Sequence, residues 1–379
     1  MIYLDNAATT LFKPAPVVLA VSETLKKLSV NPGRSGHRLS LQGANLVMDT
    51  REKVARFLNL DNPDKIIFTY NCTAALNLAI LGTIKYGDHI ITDVMEHNSV
   101  LRPLFEKEKS LNLKITLLTP RGKNGEITPE SVEKAILPNT SLIIISHVTN
   151  VCGTQNPIEE IGRIAEKYNI RYLTDCAQSG GIKNIDMGNH LDMVALAGHK
   201  GLHGPQGIGI LACRGKLPLP MIYGGTGTAS ESLTQPDTPP DSLESGTLNL
   251  PGIAGLNAAI DYIARNRSFI EEQIAYLTNM LHNNLRKISN IKIYTPENAL
   301  NGIISFNLHG ISSEIVADIL NSQYDTAVRS GLHCAPLAHN FLNTSKSGAV
   351  RVSVSFVNTT EEITRFSEAI NEISKIKIH

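Results

Sequence analysis

Short unbroken apolar runs alternate with stretches of helical periodicity up to about residue 250. Residues 65–70 (KIIFTY), 89–94 (HIITDV), 141–148 (SLIIISHV), 171–177 (RYLTDCA), 193–196 and 207–212 read as strands. Strands that are apolar at successive positions, rather than at alternate ones, belong in a sheet covered on both faces. Between them, the stretch from residue 73 (TAALNLAILGTI) and residues 157–168 (PIEEIGRIAEKY) read as helices. The second has proline at its start and acids in its first turn, where the helix dipole favours them. The pattern predicts an α/β fold around a mostly parallel sheet.

The texture then changes. Residues 252–288 are helical in pattern; 292–294, 302–308, the neighbourhood of 327 and 350–355 are strand-like; 313–321 form a helix. A last helix opens at Thr359, with Glu362 at capping-box spacing. The expectation is a large domain over residues 15–250 and a smaller α+β domain over 251–379, joined by residues 1–14. Between the two, residues 224–241 (GGTGTASESLTQPDTPPD) read as a long loop.

Composition narrows the class. With 42% apolar and 18% charged residues the chain is neither disordered nor a coiled coil. Lys+Arg and Asp+Glu both total 35, which removes any general electrostatic affinity for nucleic acid or an anionic membrane. Apolar runs such as 142–145 are too short to span a bilayer, and no signal-peptide pattern follows Met1. The cysteines number 5, with no CxxC spacing, which fits a reducing compartment better than a disulfide framework or a zinc site. A soluble, cytoplasmic protein is expected.

Five places could carry chemistry. Lys200 follows a predicted strand among glycines (Gly198-His199-Lys200-Gly201); a partly desolvated lysine there forms Schiff bases, whereas a solvated loop lysine is the plain alternative. Asp175 ends the strand one strand–loop–strand step earlier, at the edge where open α/β sheets bind ligands. A buried carboxylate there can pair with a pyridinium nitrogen, or simply cap a helix. Thr73 and Ala74 open a helix whose free N–H groups suit a phosphate, or Thr73 is an ordinary N-cap. Cys334, in Arg329-Ser330-Gly331-Leu332-His333-Cys334-Ala335-Pro336, has an electropositive setting that favours thiolate, against the inert core cysteine that most free cysteines are. Arg351, inside the strand-like GAVRVSVS, is shaped for a carboxylate unless it lies on an exposed strand face.

Taken together with Tyr3-Leu4-Asp5-Asn6-Ala7-Ala8-Thr9, Asn31-Pro32-Gly33-Arg34 with His37, Glu96-His97-Asn98, Ser146-His147-Val148-Thr149-Asn150, Asp175-Cys176-Ala177-Gln178 and Glu244-Ser245-Gly246-Thr247, these segments come in an order that resembles the cysteine desulfurases and selenocysteine lyases. These are class V aminotransferase-like, fold-type I enzymes dependent on pyridoxal 5'-phosphate (PLP). The resemblance covers nearly the whole chain, and the short RSGxHCA segment is similar to that of the second group of desulfurases and its desulfurase-like branch.

The resemblance implies roles. Lys200 carries PLP as a Schiff base and moves protons at the substrate carbons. Asp175 pairs with the pyridinium nitrogen, Gln178 bonds the ring hydroxyl oxygen, and His97 stacks on the ring. Thr73, the Ala74 amide and His199 hold the phosphate, joined by Thr247 from the second subunit of a homodimer, with residues 224–241 as the part that reaches across. Asn150, Arg329 and Arg351 bind the substrate, with Arg351 on its α-carboxylate. Cys334 attacks the substrate sulfur. Two positions depart from the pattern: Ala197 stands where many relatives have Ser or Thr, and Leu332 where several have His. The implied reaction takes L-cysteine to L-alanine, leaves a persulfide on Cys334 and passes it to an acceptor protein or small thiol. The alternatives are a selenocysteine lyase or a C–S β-lyase that yields pyruvate and sulfide, and, from another class, a non-catalytic carrier that retains the fold.

Overall fold

The computed structural model describes residues 1–33 and 35–376; Arg34, quoted above, lies outside them. The chain order begins with β1 (Ile2–Tyr3), α1 (Ala15–Lys27), α2 (Arg38–Phe57), β2 (Ile66–Thr69), α3 (Cys72–Leu81), β3 (His89–Asp93), α4 (Asn98–Glu108), β4 (Lys114–Leu118), α5 (Pro129–Ala135), β5 (Thr140–Ser146), α6 (Ile158–Lys167), β6 (Arg171–Asp175), β7 (Met193–Ala197) and β8 (Gly209–Cys213). It continues with α7 (Leu250–Leu285), β9 (Ile291–Ile293), β10 (Ile303–Leu308), α8 (Ser313–Tyr324), β11 (Thr326–Ala327), α9 (Pro336–Phe341), β12 (Val350–Ser353) and α10 (Thr360–Ile373).

The main sheet has 7 strands in the order β2-β8-β7-β6-β5-β3-β4. Only β8 runs against its neighbours, pairing antiparallel with both β2 and β7. The strand order reverses between β3 and β5, the kind of switch point where a crevice opens at the carboxyl ends of the strands. Alternate residues of β5 explain its apolar run: Leu142 and Ile144 face the core under α3 and α4, and Ile143 and Ile145 the core under α2, α6 and α7. All four are fully buried.

The long helix α7, 36 residues, packs against α1, α2 and α10 and joins the main sheet to the elements after it. There β9, β10 and β12 form an antiparallel sheet. The start of the chain belongs on that side: β1 pairs parallel with β11, and Asp5 bridges to Ser353. The expected capping box is present, Thr359 on the Glu362 amide and the Glu362 carboxylate on the Thr359 amide.

Residues 224–241 are built of turns. They are tied by Thr228 Oγ1 donating to Asp241 Oδ2 at 2.6 Å and by Gln235 Nε2 donating to Ser245 Oγ at 2.9 Å. Just beyond, Glu244 is buried on Arg51 of α2 in a two-pronged ion pair. Glu244 Oε1 also accepts the Phe68 N–H at 2.5 Å, and Arg51 Nη1 donates to the Ile66 carbonyl.

Candidate active site

The carboxyl ends of β3, β5, β6 and β7 and the amino end of α3 converge on one crevice, a cavity of about 560 Å³. Thr73, His97, Asn150, Asp175, Gln178, His199 and Lys200, all singled out from the sequence, line it.

Lys200 sits in a tight turn after β7. A Cβ at Gly201 would lie 2.4 Å from the Gly180 carbonyl, so only glycine lets these backbones meet and fix the lysine. Burial lowers the Lys200 pKa; Asp175 opposes this, while Arg351 and Arg329 reinforce it. Its Nζ has no hydrogen-bond or ion-pair partner among the described residues. Asp175 Oδ1 accepts the Ala177 N–H at 2.8 Å and faces Cys72 Sγ at 3.8 Å, and its Oδ2 accepts no hydrogen bond from the described residues. Burial raises the Asp175 pKa, and the Ala177 amide, Lys200 and Cys72 pull it back. Glu96 lies behind it, fully buried, with Oε1 on the Ser146 N–H at 2.5 Å. Burial, then the charges of Asp93 and Asp175, hold the Glu96 carboxyl well above its ordinary range.

His97 caps α4, its Nδ1 accepting the Ser99 N–H at 3.1 Å. Burial and the nearby lysine and arginines lower it to about 4, so the ring is neutral at ordinary pH. At the mouth of α3 the structure differs in detail from the expectation. The Ala74 N–H donates to Asn71 Oδ1 at 2.9 Å, and the Ala75 N–H to Asn71 O. The Cys72 and Thr73 amides and the Thr73 hydroxyl therefore remain as the free donors at this helix start. His199 Nδ1 stands 3.0 Å from Thr9 Oγ1, and its carbonyl accepts the Thr10 N–H at 3.1 Å. Gln178 Nε2 donates to Ala7 O at 3.0 Å. Ala197 also lines the cavity.

Arg329, Cys334 and Arg351 come from the other side. Residues 329 and 351 pair across a short antiparallel bridge. Arg351 is 1% exposed; its Nη1 donates to Asn150 O at 3.0 Å, its Nη2 to Asp5 Oδ1 at 3.2 Å, and its Nε has no partner among the described residues. Cys334 is the one exposed cysteine, and Arg329 Nη2 reaches its sulfur at 3.6 Å. Leu332 is 40% exposed. Thr247 is not in this crevice. It lines a separate, largely apolar pocket of about 810 Å³ with Tyr70, Asn77, Leu243 and Ile253.

Sequence reading did not single out Cys72 under Asp175, Asn71 at the helix mouth, or the tie of Asp5 to Arg351. Asn71 stood next to a quoted helix start and an N-cap preference could have flagged it; nothing in the sequence links residues 5 and 351.

The aminotransferase class-V family model matches residues 2–366, and the chain belongs to that family. Among its relatives, a probable cysteine desulfurase of Methanothermobacter thermautotrophicus is 35% identical over 98% of this chain and 94% of the relative. A cysteine desulfurase of Serratia proteamaculans is 32% identical over 99% of this chain and 93% of the relative. The apo structure of the cysteine desulfurase from Thermococcus onnurineus superimposes with a TM-score of 0.90 at 33% identity, covering 99% of this chain and 94% of that one. No described helix is long and apolar enough to cross a membrane.

Proposed function

We propose that this chain is a PLP-dependent cysteine desulfurase that converts L-cysteine to L-alanine and takes up the sulfur as a persulfide on Cys334. The observation that carries the reading is that the one exposed cysteine stands beside Arg329 in a turn tied through His333 O to Asn150, a residue of the crevice that holds an unpaired lysine, a buried aspartate and a neutral histidine.

The crevice fits PLP. Lys200 Nζ is unpartnered, one Asp175 oxygen is free for a ring N–H, and the mouth of α3 offers the Cys72 and Thr73 amides and the Thr73 hydroxyl to a phosphate. Lys200, Asp175, Gln178, His97, Thr73 and His199 would hold the cofactor. The Ala74 amide joins them when Asn71 gives it up. Bound there, PLP supplies an electron sink for bonds at the substrate's Cα and Cβ.

This chain's own residues do the rest. Arg351 attracts the substrate α-carboxylate, and Asn150, whose carbonyl holds the Arg351 guanidinium, keeps that arginine aimed. Lys200, buried and depressed in pKa, accepts and returns protons at the substrate carbons. Cys334, as thiolate, attacks the substrate sulfur: an S–S bond forms, the C–S bond breaks, and Cβ takes a proton. L-cysteine and the enzyme thiol become L-alanine and an enzyme persulfide, with no external oxidant. The persulfide then passes to an acceptor protein or small thiol. Thr247, exposed and outside its own chain's crevice, supports a homodimer in which it reaches the partner's phosphate site.

The test is product analysis. PLP-loaded protein and Cys334→Ser are incubated with L-cysteine and a thiol reductant, and alanine, pyruvate and sulfide are quantified. Alanine equal to sulfide, lost in the variant, supports the desulfurase. Pyruvate equal to sulfide, kept in the variant, makes the enzyme a C–S β-lyase and overturns the role of Cys334. If L-cysteine gives neither product while selenocysteine gives alanine, the substrate assignment is wrong.

A further inference from the structure

The turn that carries Cys334 has a backbone geometry that L residues rarely adopt. His333 and Cys334 lie at φ 50° and 56°, after Gly331 at φ 95°. A left-handed backbone is unfavourable for any non-glycine residue, so its neighbours must impose it. Two restraints come from the main-sheet side. The Asn98 N–H donates to Cys334 O at 2.7 Å, and Asn150 Nδ2 donates to His333 O at 2.7 Å.

A third restraint has no part in the reaction as derived. His333 Nδ1 and His339 Nε2 stand 3.2 Å apart, with ring centroids at 5.3 Å. His339 Nδ1 is 2.7 Å from Thr344 Oγ1, and the Thr344 N–H donates to His339 O at 2.8 Å. All three residues are buried. Burial lowers the pKa of both imidazoles, so both are neutral at ordinary pH and share one proton between facing nitrogens.

Thr344 Oγ1 also lies 3.4 Å from the His339 carbonyl, and its contact with His339 Nδ1 fixes the plane of that ring. In either tautomer one proton lies between His339 Nε2 and His333 Nδ1, so the two rings hold each other whichever nitrogen donates. If α9 needed only packing at residue 339, an apolar side chain would serve; a hydrogen-bonded imidazole also sets the orientation of His333.

We propose that His339, seated by Thr344, is a positioning residue for Cys334: its bond to His333 holds the left-handed turn that presents the sulfur beside Arg329. The inference rests on the reading of Cys334 as the sulfur acceptor.

The test compares His339→Gln, whose amide reaches His333, with His339→Asn, which reaches only Thr344, and with His339→Ala. Two quantities are measured on PLP-loaded protein: kcat and KM for alanine formation from L-cysteine, and backbone hydrogen exchange over residues 329–342. Asn and Ala are expected to lower kcat about tenfold with KM within about twofold, because misplacement of a reacting group acts on the chemical step. The same variants are expected to speed exchange around Cys334, while Gln stays within about threefold of the unmodified protein on both counts. Unchanged kcat and exchange in Asn and Ala, or a Gln variant as impaired as Ala, overturns the proposal. If Ala does not fold, the Gln and Asn pair decides alone. Cys334→Ser runs in parallel. Alanine formation that survives there sinks the sulfur-acceptor reading, and the exchange data then decide the restraint by themselves.

Discussion

Arg329 Nη2 stands 3.6 Å from Cys334 Sγ, while the backbone of the same arginine is paired with that of Arg351. One short bridge thus places two guanidinium groups, one at the Cys334 sulfur and one that the proposed function assigns to the substrate carboxylate. Arg329→Ala is expected to lower kcat for alanine formation about tenfold, in keeping with the roughly 1.5–3 kcal/mol of a charged hydrogen bond, with little effect on KM. Arg329→Lys recovers part of it. Initial rates decide, and an unchanged kcat in Arg329→Ala removes the arginine from the sulfur step.

Under the proposed function, Asp5 occupies a guanidinium nitrogen of Arg351 that the substrate carboxylate would use. Asp5→Asn keeps the shape of the contact but removes the charge that occupies Arg351 Nη2. KM for L-cysteine is expected to fall about threefold, a change of about 0.6 kcal/mol that lies within the range of a single ion pair, with kcat unchanged. A raised KM would show instead that Asp5 is needed to seat the guanidinium.

The Arg51–Glu244 pair has both side chains 4% exposed. Removing one partner leaves a buried charge without compensation, and Glu244→Gln or Arg51→Met is expected to lose about 3–5 kcal/mol of stability. Urea unfolding midpoints measure it. The double variant Arg51→Met with Glu244→Leu is expected to recover much of that loss, because no lone charge remains.

Asp93 titrates abnormally. Burial raises its pKa from 3.8 to about 7, against the pull of the Met95 amide. Between those values the folded state binds more protons than the unfolded one, so this residue's contribution to stability declines as pH rises toward 7. Asp93→Asn has no such dependence. Relative to the unmodified protein it is expected to gain at least about 1 kcal/mol between pH 5 and pH 8, as about 1.4 kcal/mol accompanies each pKa unit. Denaturant midpoints at both pH values check the sign.

Much of this architecture was legible in the sequence, and the reasons are specific. β2, β3, β5, β6, β7 and β8 are buried on both faces and leave unbroken apolar runs. Lys200 and Asp175 stood out because strand ends carry chemistry in such sheets. α1, α2 and β4 left weaker marks. α1 exposes Val18, Leu19 and Leu25, so no clean apolar stripe forms, and α2 buries Ser40, Thr50 and Arg51 among its apolar positions. β4 is an outer strand with no fully buried residue. The contacts that aim the site were invisible because they join distant positions: Asp5 meets Arg351 across 346 residues, and Arg51 meets Glu244 across 193. The bond from His333 to His339 spans only 6 residues, yet it depends on a left-handed turn that no local pattern announces.

β2 is an outermost strand of its sheet, and such a border offers bare N–H and C=O groups to any extended chain that drifts past. Here the outward pair of groups is the Ile66 carbonyl and the Phe68 N–H, and Arg51 takes the first while Glu244 takes the second. A single ion pair thereby finishes the border as a further strand would, without creating a new border beyond it. Loss of either residue opens a seam at which copies of the protein can stick to one another, so such variants are expected to fail by clumping as well as by unfolding.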